Sequence, residues 1–265
     1  MRVPFRSLAL NAICLYVAAY LLTIVLHEMG HAAMSWALGG RPILYSTSVE
    51  NTNKGLSEVA RVLVAAAGPC LSLLQGLLLL FLARRNRATG LGALFGLYMG
   101  VFGLINFLGY LMIAPVVTGG DTGQIVALLH IPAGLTWLTA GLALVLLVRA
   151  IGSTGALFGH FVPTASTHDE VATKTQGLRG LILWPWLVGS VVLVLLALPA
   201  PHPAVVANMF MSPIVLRRAY VNGLQMPLES PATAGQALQQ FSWVSAAATV
   251  ALAIGFRALS HGIAL

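Results

Sequence analysis

The chain has 265 residues, 58% of them hydrophobic and only 8% charged, against about 25% charged in soluble domains, so water is excluded as its main solvent. Its net charge of +7 at pH 7 suits loops that meet anionic lipid headgroups. Nucleic acid is excluded as a partner, because the arginines are scattered over several loops without interleaved aromatic residues.

Runs of about 20 apolar residues, enough for a helix to cross roughly 30 Å of hydrocarbon, recur near 8–38, 59–83, 90–114, 122–151, 180–199 and 240–258. They are continuously apolar, whereas barrel strands alternate over about ten positions. The expected fold is all-α: a polytopic integral membrane protein of about six transmembrane helices forming a single membrane domain over 1–265. The polar gaps 153–178 and 200–238 are too short to bury a core of their own. The first and fourth runs exceed one crossing and are expected to tilt, break or extend into the interface. Arg2 and Arg6 precede the first run as in a signal peptide, but the run continues past any cleavage point and reads as a retained first helix. Below, face A is the side on which that helix ends, and face B is the opposite side.

Within the first run stands Val25-Leu26-His27-Glu28-Met29-Gly30-His31-Ala32-Ala33, an H-E-x-x-H pattern. Residues four apart share a helix face, so His27 and His31 can direct both imidazoles at one ion, predicted to be a single Zn2+. Zinc lowers the pKa of a water it binds to about 7. Glu28, about 100° round the helix from His27, is placed to reach that water rather than the ion, as a general base. Ionisable groups at such depth are costly unless paired or metal-bound. The competing reading is a polar cluster that ties helices together.

Gly39-Gly40 can end the first helix, which leaves His31 roughly 12 Å short of that end at about 1.5 Å per residue. Arg41 to Glu50 carries β-favouring residues, and Asn51 to Gly55 supplies turn chemistry. A short β-hairpin is therefore expected after helix 1, with an interfacial loop as the equal alternative. Early in the second run, Gly68 and Pro69 read as a close-packing and kink site that lets helix 2 approach helix 1. Asn106, in the third run, reads equally as an interhelical hydrogen-bonding group and as part of substrate handling.

A catalytic zinc needs a third protein ligand, and the only aspartates are Asp121 and Asp169. Asp121 follows the break Pro115-Val116-Val117-Thr118-Gly119-Gly120. Helix 1 ends on face A, helix 2 returns to face B at Arg84-Arg85, and helix 3 comes back, so Asp121 arrives on the same side of the membrane as His27 and His31. An N-cap role for Asp121 is compatible with ligation. Asp169, with His168 and Glu170, falls on face B and reads as a solvated loop. Cys14 and Cys70 read as buried small hydrophobes. His130, His160, His202 and His261 lack ligand spacing. Trp184, Trp186 and Trp243 read as interface anchors, and 200–238 as a loop that lies on the membrane or gates the site.

These pieces together resemble the site-2 protease family of intramembrane zinc metalloproteases. Three features fall in the family's order: His27-Glu28-Met29-Gly30-His31 in a membrane helix, Ala67-Gly68-Pro69 early in the next, and Asn106 followed by Pro115 and Gly119-Gly120-Asp121. The resemblance covers about residues 20–130. The Gly-Asp-Thr-Gly sequence and the 15-residue step from Asn106 to Asp121 depart from the family, which commonly has Asp-Gly with the Asn nearer. The resemblance implies a metalloprotease core over 7–130, with 131–265 adding further transmembrane helices and loops. It implies a zinc endopeptidase that hydrolyses peptide bonds in or near transmembrane segments of membrane-anchored protein substrates, in regulated intramembrane proteolysis. It also implies a strand edge that pairs with an unwound substrate. The lipid bilayer is the other partner, and the expected location is a bacterial cell membrane. A catalytically silent relative and a transporter with an incidental zinc site are the other readings. Glu28 argues against the first, and the scarcity of other intramembrane carboxylates argues against the second.

Tracing six crossings puts Arg2, Arg6, Arg84, Arg85, Arg87, Arg149, Lys174, Arg179 and Arg257 on face B. Face A receives Arg41, Lys54, Arg61, Arg217 and Arg218. The positive-inside rule then makes face B cytoplasmic, whereas the resemblance implies a site toward the cytosol, and the sequence leaves the orientation open.

Overall fold

The computed structural model describes residues 5–53, 55–86, 88–163, 170–199, 206, 208–210, 212–227 and 236–265. Five helices in it are long and apolar enough to span a membrane: Phe5–Ala37, Glu58–Arg85, Leu91–Ile113, Ala133–Gly159 and Glu170–Ala197. A shorter apolar helix covers Trp243–Leu259. The elements are α1 (Phe5–Ala37), β1 (Pro42–Leu44), β2 (Val49–Asn51), α2 (Glu58–Arg85), α3 (Leu91–Ile113), α4 (Asp121–Leu128) and α5 (Ala133–Ser153). They continue with α6 (Gly155–Gly159), α7 (Glu170–Leu178), a π-helical turn (Arg179–Leu183), α8 (Trp184–Ala197), a 3-10 turn (Ser212–Val215), α9 (Leu216–Gln225), α10 (Gln236–Gln239), α11 (Trp243–Leu259) and β3 (Ile263–Ala264).

The first run is one unbroken helix of 33 residues, about 50 Å long at about 1.5 Å per residue. The fourth run breaks. Asp121–Leu128 is a separate helix, His130 takes a left-handed φ of 50°, and Pro132 caps the start of α5, where its missing N–H costs nothing. α1 and α3 form the interior of the bundle. Tyr16 meets Tyr98 and Phe102 edge-on at 5.7 and 4.9 Å between ring centroids. α2 and α5 lie at the periphery, with Leu74, Leu77, Phe81, Leu138 and Leu142 turned outward, as lipid requires.

α2 runs antiparallel to both α1 and α3, and small residues set how closely they approach. A Cβ at Gly103 would lie 2.7 Å from the Gly76 nitrogen, and one at Gly76 would lie 2.8 Å from the Leu104 nitrogen. Hydrocarbon offers no hydrophobic drive for helix association, so such backbone contact and interhelical hydrogen bonds take its place. Gln75 Nε2 supplies two of these bonds, to Thr23 Oγ1 and to the Met99 carbonyl, both at 2.8 Å. A third tie follows from Pro185. Having no N–H, it denies the Leu181 carbonyl its α-helical donor four residues later, and the buried Tyr98 hydroxyl donates to that carbonyl at 2.5 Å.

A hairpin does follow α1, but its turn is at Tyr45–Ser48, with Pro42 opposite Asn51 and Leu44 opposite Val49. Asn51 and Asn53 do not make that turn. Their side chains fasten the outgoing strand to the end of α1, through Asn51 Nδ2 to Ser35 Oγ at 3.0 Å and Asn53 Nδ2 to the Gly39 carbonyl at 3.2 Å. The sheet has a third strand that sequence reasoning missed: β3 pairs antiparallel with β1, giving the order β2-β1-β3.

The second half of the chain departs from a simple up-and-down trace. α8 runs alongside α1, with Ser190 Oγ 3.3 Å from the Tyr16 hydroxyl, and ends on face A. Met209 and Phe210 then lie on the way back, with the Trp186 indole donating to the Phe210 carbonyl at 3.3 Å. This bond takes Trp186 out of the set of free interface anchors; Trp184 and Trp243 are exposed. α9 lies on face B, where Asn222 Nδ2 donates to the Gly152 carbonyl at the end of α5. α11 starts beside Asn11, which accepts from Ser242 N at 2.8 Å. It ends on face A, where Arg257 bonds the Leu196 and Leu198 carbonyls. The described part of 200–238 is therefore not a loop on face A: it holds the helix Leu216–Gln225, packed on face B. Arg217 and Arg218 belong to face B, and Arg257 to face A. Arg2, Lys54, Arg87, His168, Asp169 and His202 lie outside the described residues.

Tyr98→Phe removes the hydroxyl that donates to the Leu181 carbonyl. A loss of about 1–3 kcal/mol is expected, read as a lower unfolding temperature in detergent.

Candidate metal centre

His27 and His31 stand one turn apart on the buried side of α1, with their ring centroids 4.7 Å apart. Their Nε2 atoms are 3.1 Å from each other. Asp121 Oδ2 lies 2.9 Å from His27 Nε2 and 3.3 Å from His31 Nε2. Donors about 2.0–2.1 Å from a tetrahedral zinc are roughly 3.3 Å from one another, so this triangle has nearly the edge lengths that one ion requires.

The hydrogen bonds behind the rings decide which atoms face inward. His31 Nδ1 lies 2.7 Å from the Val64 carbonyl, which can only accept, so the ring proton sits on Nδ1 and Nε2 presents a lone pair. On the far side of His27, Nδ1 lies 3.0 Å from Ser72 Oγ. Asn106 Nδ2 donates to the same hydroxyl at 3.1 Å and lies 3.2 Å from His27 Nδ1. With Nδ1 of His27 as donor to Ser72, two imidazole lone pairs and a carboxylate oxygen converge on one point. That arrangement is repulsive without a cation between the donors and suits a divalent, nitrogen-preferring metal. Two nitrogens, one carboxylate and no thiolate fit zinc.

α2 supplies the seat. A Cβ at Gly68 would lie 2.7 Å from Cδ2 and Cε1 of His31, so only glycine leaves room for the ring. Gly30 faces the same spot from α1, where a Cβ would lie 3.0 Å from the Ala67 carbonyl oxygen. Pro69, inside α2, leaves the Ala65 carbonyl without its helical donor and opens the helix at this level, next to the Val64 carbonyl that holds His31.

Asp121 opens α4. The residue capping that helix is Gly120, not Asp121, whose carboxylate turns to the histidines instead. The turn that delivers it is tight. A Cβ at Gly123 would lie 2.8 Å from Thr118 Cα, and Thr122 Oγ1 donates to the Tyr110 carbonyl at 2.6 Å, tying α4 to the end of α3.

Glu28 is buried at 6% exposure and stands outside the three-residue ligand group. Among the described residues, no hydrogen bond engages its carboxylate. Two neighbours went unseen in the sequence. Ser72 lies one turn beyond Gly68, in the same stripe of small residues as Gly76. Tyr110 lies one turn beyond Asn106 and stacks on His27, with centroids 5.3 Å apart and planes 6° from parallel. The spacing was legible in both cases, but the interhelical register that gives it meaning was not.

Among the described residues, His27, His31 and Asp121 are the one group able to hold a metal. His130 and His261 are exposed. His160 lines a crevice of about 270 Å³ near the far ends of α2 and α3, away from the centre. Both cysteines are free, and Cys70 is exposed rather than buried. Gly68, Ser72 and Gly76 turn α2's packed side inward, so residue 70 points away from the bundle. Compared with protein-family profiles, curated proteins and solved structures, the chain matches none.

Gly68→Ala is expected to push His31 out of line and weaken zinc binding about tenfold or more. Metal analysis of protein purified in detergent and dialysed against a zinc buffer measures this, with helix content by circular dichroism held as the control.

Proposed function

We propose that the chain is an intramembrane zinc endopeptidase that hydrolyses peptide bonds in or near transmembrane segments of membrane-anchored proteins. The observation that carries this reading is the convergence of His27, His31 and Asp121 with a buried carboxylate, Glu28, beside them that no described hydrogen bond engages. Asp121 reaches the histidines from another helix at 2.9 and 3.3 Å, which a chance H-E-x-x-H match would not produce. The reading agrees with the resemblance to the site-2 protease family.

His27, His31 and Asp121 would hold the zinc, which when bound supplies a Lewis acid for the scissile carbonyl and an acidified water. Glu28 would take the proton of the attacking water and pass it to the departing amine, the work of a general acid–base group worth about 10²–10⁴ in rate. Ser72 and Asn106 would act as positioning residues. Both bond behind His27 and would keep its Nε2 aimed at the ion; on this reading Asn106 supports the ligand rather than contacting substrate. Tyr110, flat against His27, would fix the ring plane. Gly68 and Pro69 would serve the same end from α2.

The substrate must present an unwound stretch, because an intact helix keeps its carbonyls in hydrogen bonds. A strand pairing with this sheet meets one constraint. β1 is already bonded on both sides, with Leu265 N donating to the Pro42 carbonyl at 3.0 Å beyond β3. The free edges among the described residues are the outer edges of β2 and of the two-residue β3, and β2 is the longer of the two.

Glu28→Gln tests the reading. Co-expressed with single-span candidate substrates, this variant should lose cleavage by at least about 100-fold while its zinc content stays at the wild-type level. Equal cleavage by variant and wild type overturns the proposal. Asp121→Ala should lose both zinc and cleavage.

A further inference from the structure

The packing settles where the basic side chains lie, and they lie overwhelmingly at one end. At the end of α2, Arg84 donates to Ser153 Oγ at the end of α5, with Arg85 beside it over the Phe81 ring. Arg149 is one turn back on α5 and exposed. Lys174 on α7 donates to the Leu224 and Met226 carbonyls at the end of α9, and Arg179 Nε donates to the Tyr220 hydroxyl at 3.4 Å. α9 buries Leu216, Ala219 and Gly223 against the bundle and leaves Arg217 and Arg218 exposed. Arg6 joins them, since α1 passes beside Gly180 at Leu8 and Ala9. The opposite end, where the hairpin and the metal centre lie, has Arg41, Arg61 and Arg257 among the described residues. Arg257 is spent on the Leu196 and Leu198 carbonyls.

We infer that the arginine-rich end is the cytoplasmic one and that the metal centre lies toward the non-cytoplasmic face. Short loops rich in Lys and Arg stay on the cytoplasmic side, and acidic residues contribute little to this choice. α9 strengthens the case, because an amphipathic helix with arginines on its outer side lies stably on an anionic leaflet. This orientation reverses the one that the family resemblance implies. Joined to the proposed proteolytic activity, on which this last step rests, it names the substrate end. The segment taken is the outward end of a transmembrane helix, and the piece released is the part exposed outside the cytoplasm.

Sidedness can be read without proteolysis. In a Cys14→Ala, Cys70→Ala background, Glu50→Cys marks the hairpin and Ala88→Cys marks the α2–α3 connection; both sites are exposed. In intact bacterial cells expressing the full chain, a membrane-impermeant maleimide should label Glu50→Cys. It should label Ala88→Cys only after permeabilisation. The reverse pattern, or labelling of both in intact cells, overturns the inference. If the cysteine variants fail to accumulate, a reporter joined after Leu265 decides the question, since β3 holds that end to the hairpin. Alkaline phosphatase should be active there and green fluorescent protein dark; the opposite result overturns the inference. The labelling works equally in Glu28→Gln protein, so a wrong orientation and a missing activity give separate results.

Discussion

The centre depends on how closely α1 and α2 approach at Gly30 and Gly68. The two backbones meet there with no side chain between them, and the His31 ring fills the space a Cβ at 68 would take. Everything else at the site follows from that distance. His31 reaches the Val64 carbonyl, His27 reaches Ser72 one turn further along α2, and the two Nε2 atoms are left facing each other. Without the small residues, α2 would stand off by roughly the width of a methyl group, and neither ring would have a partner on its far side.

The same constraint governs the polar groups elsewhere. In hydrocarbon an unpaired donor or acceptor costs several kcal/mol, and several buried or half-buried polar side chains are answered from another element. Asn11 bonds the Leu238 and Gln240 carbonyls, Gln75 links α1 and α3, Tyr98 covers the carbonyl freed by Pro185, and Asn106 closes on Ser72. These ties fix helix register as well as proximity, and register is what a candidate metal centre with both histidines on α1, their hydrogen-bond partners on α2 and α3 and a carboxylate on α4 demands.

His27, Glu28 and His31 were legible because their information is local, two turns of one helix. Asp121 was legible because counting crossings sufficed to bring it to the right face. Ser72, Tyr110 and the Val64 carbonyl were not legible. Each has an ordinary bland reading in its own helix and gains a role only when a neighbouring helix is set at a given register. The passage from α8 back to α9 escaped for a different reason, since it lacks the 20-residue apolar signal of a spanning helix. With it, the tracing misplaced Arg217, Arg218 and Arg257. The hairpin was anticipated but its turn was not, because Asn51 and Asn53 look like turn residues when their side chains are in fact spent on the end of α1.

β3 adds a matter of timing. The hairpin that follows the helix of His27 and His31 is among the earliest parts of the chain to be synthesised, yet its third strand is Ile263–Ala264, more than two hundred residues later. α1 must therefore enter the membrane with β1 open along one side, and the sheet closes only after α11 has been threaded past α1. During that interval the helix carrying His27 and His31 lacks part of its packing. Completion of the bundle and closure of the sheet above the two histidines become one late event in assembly.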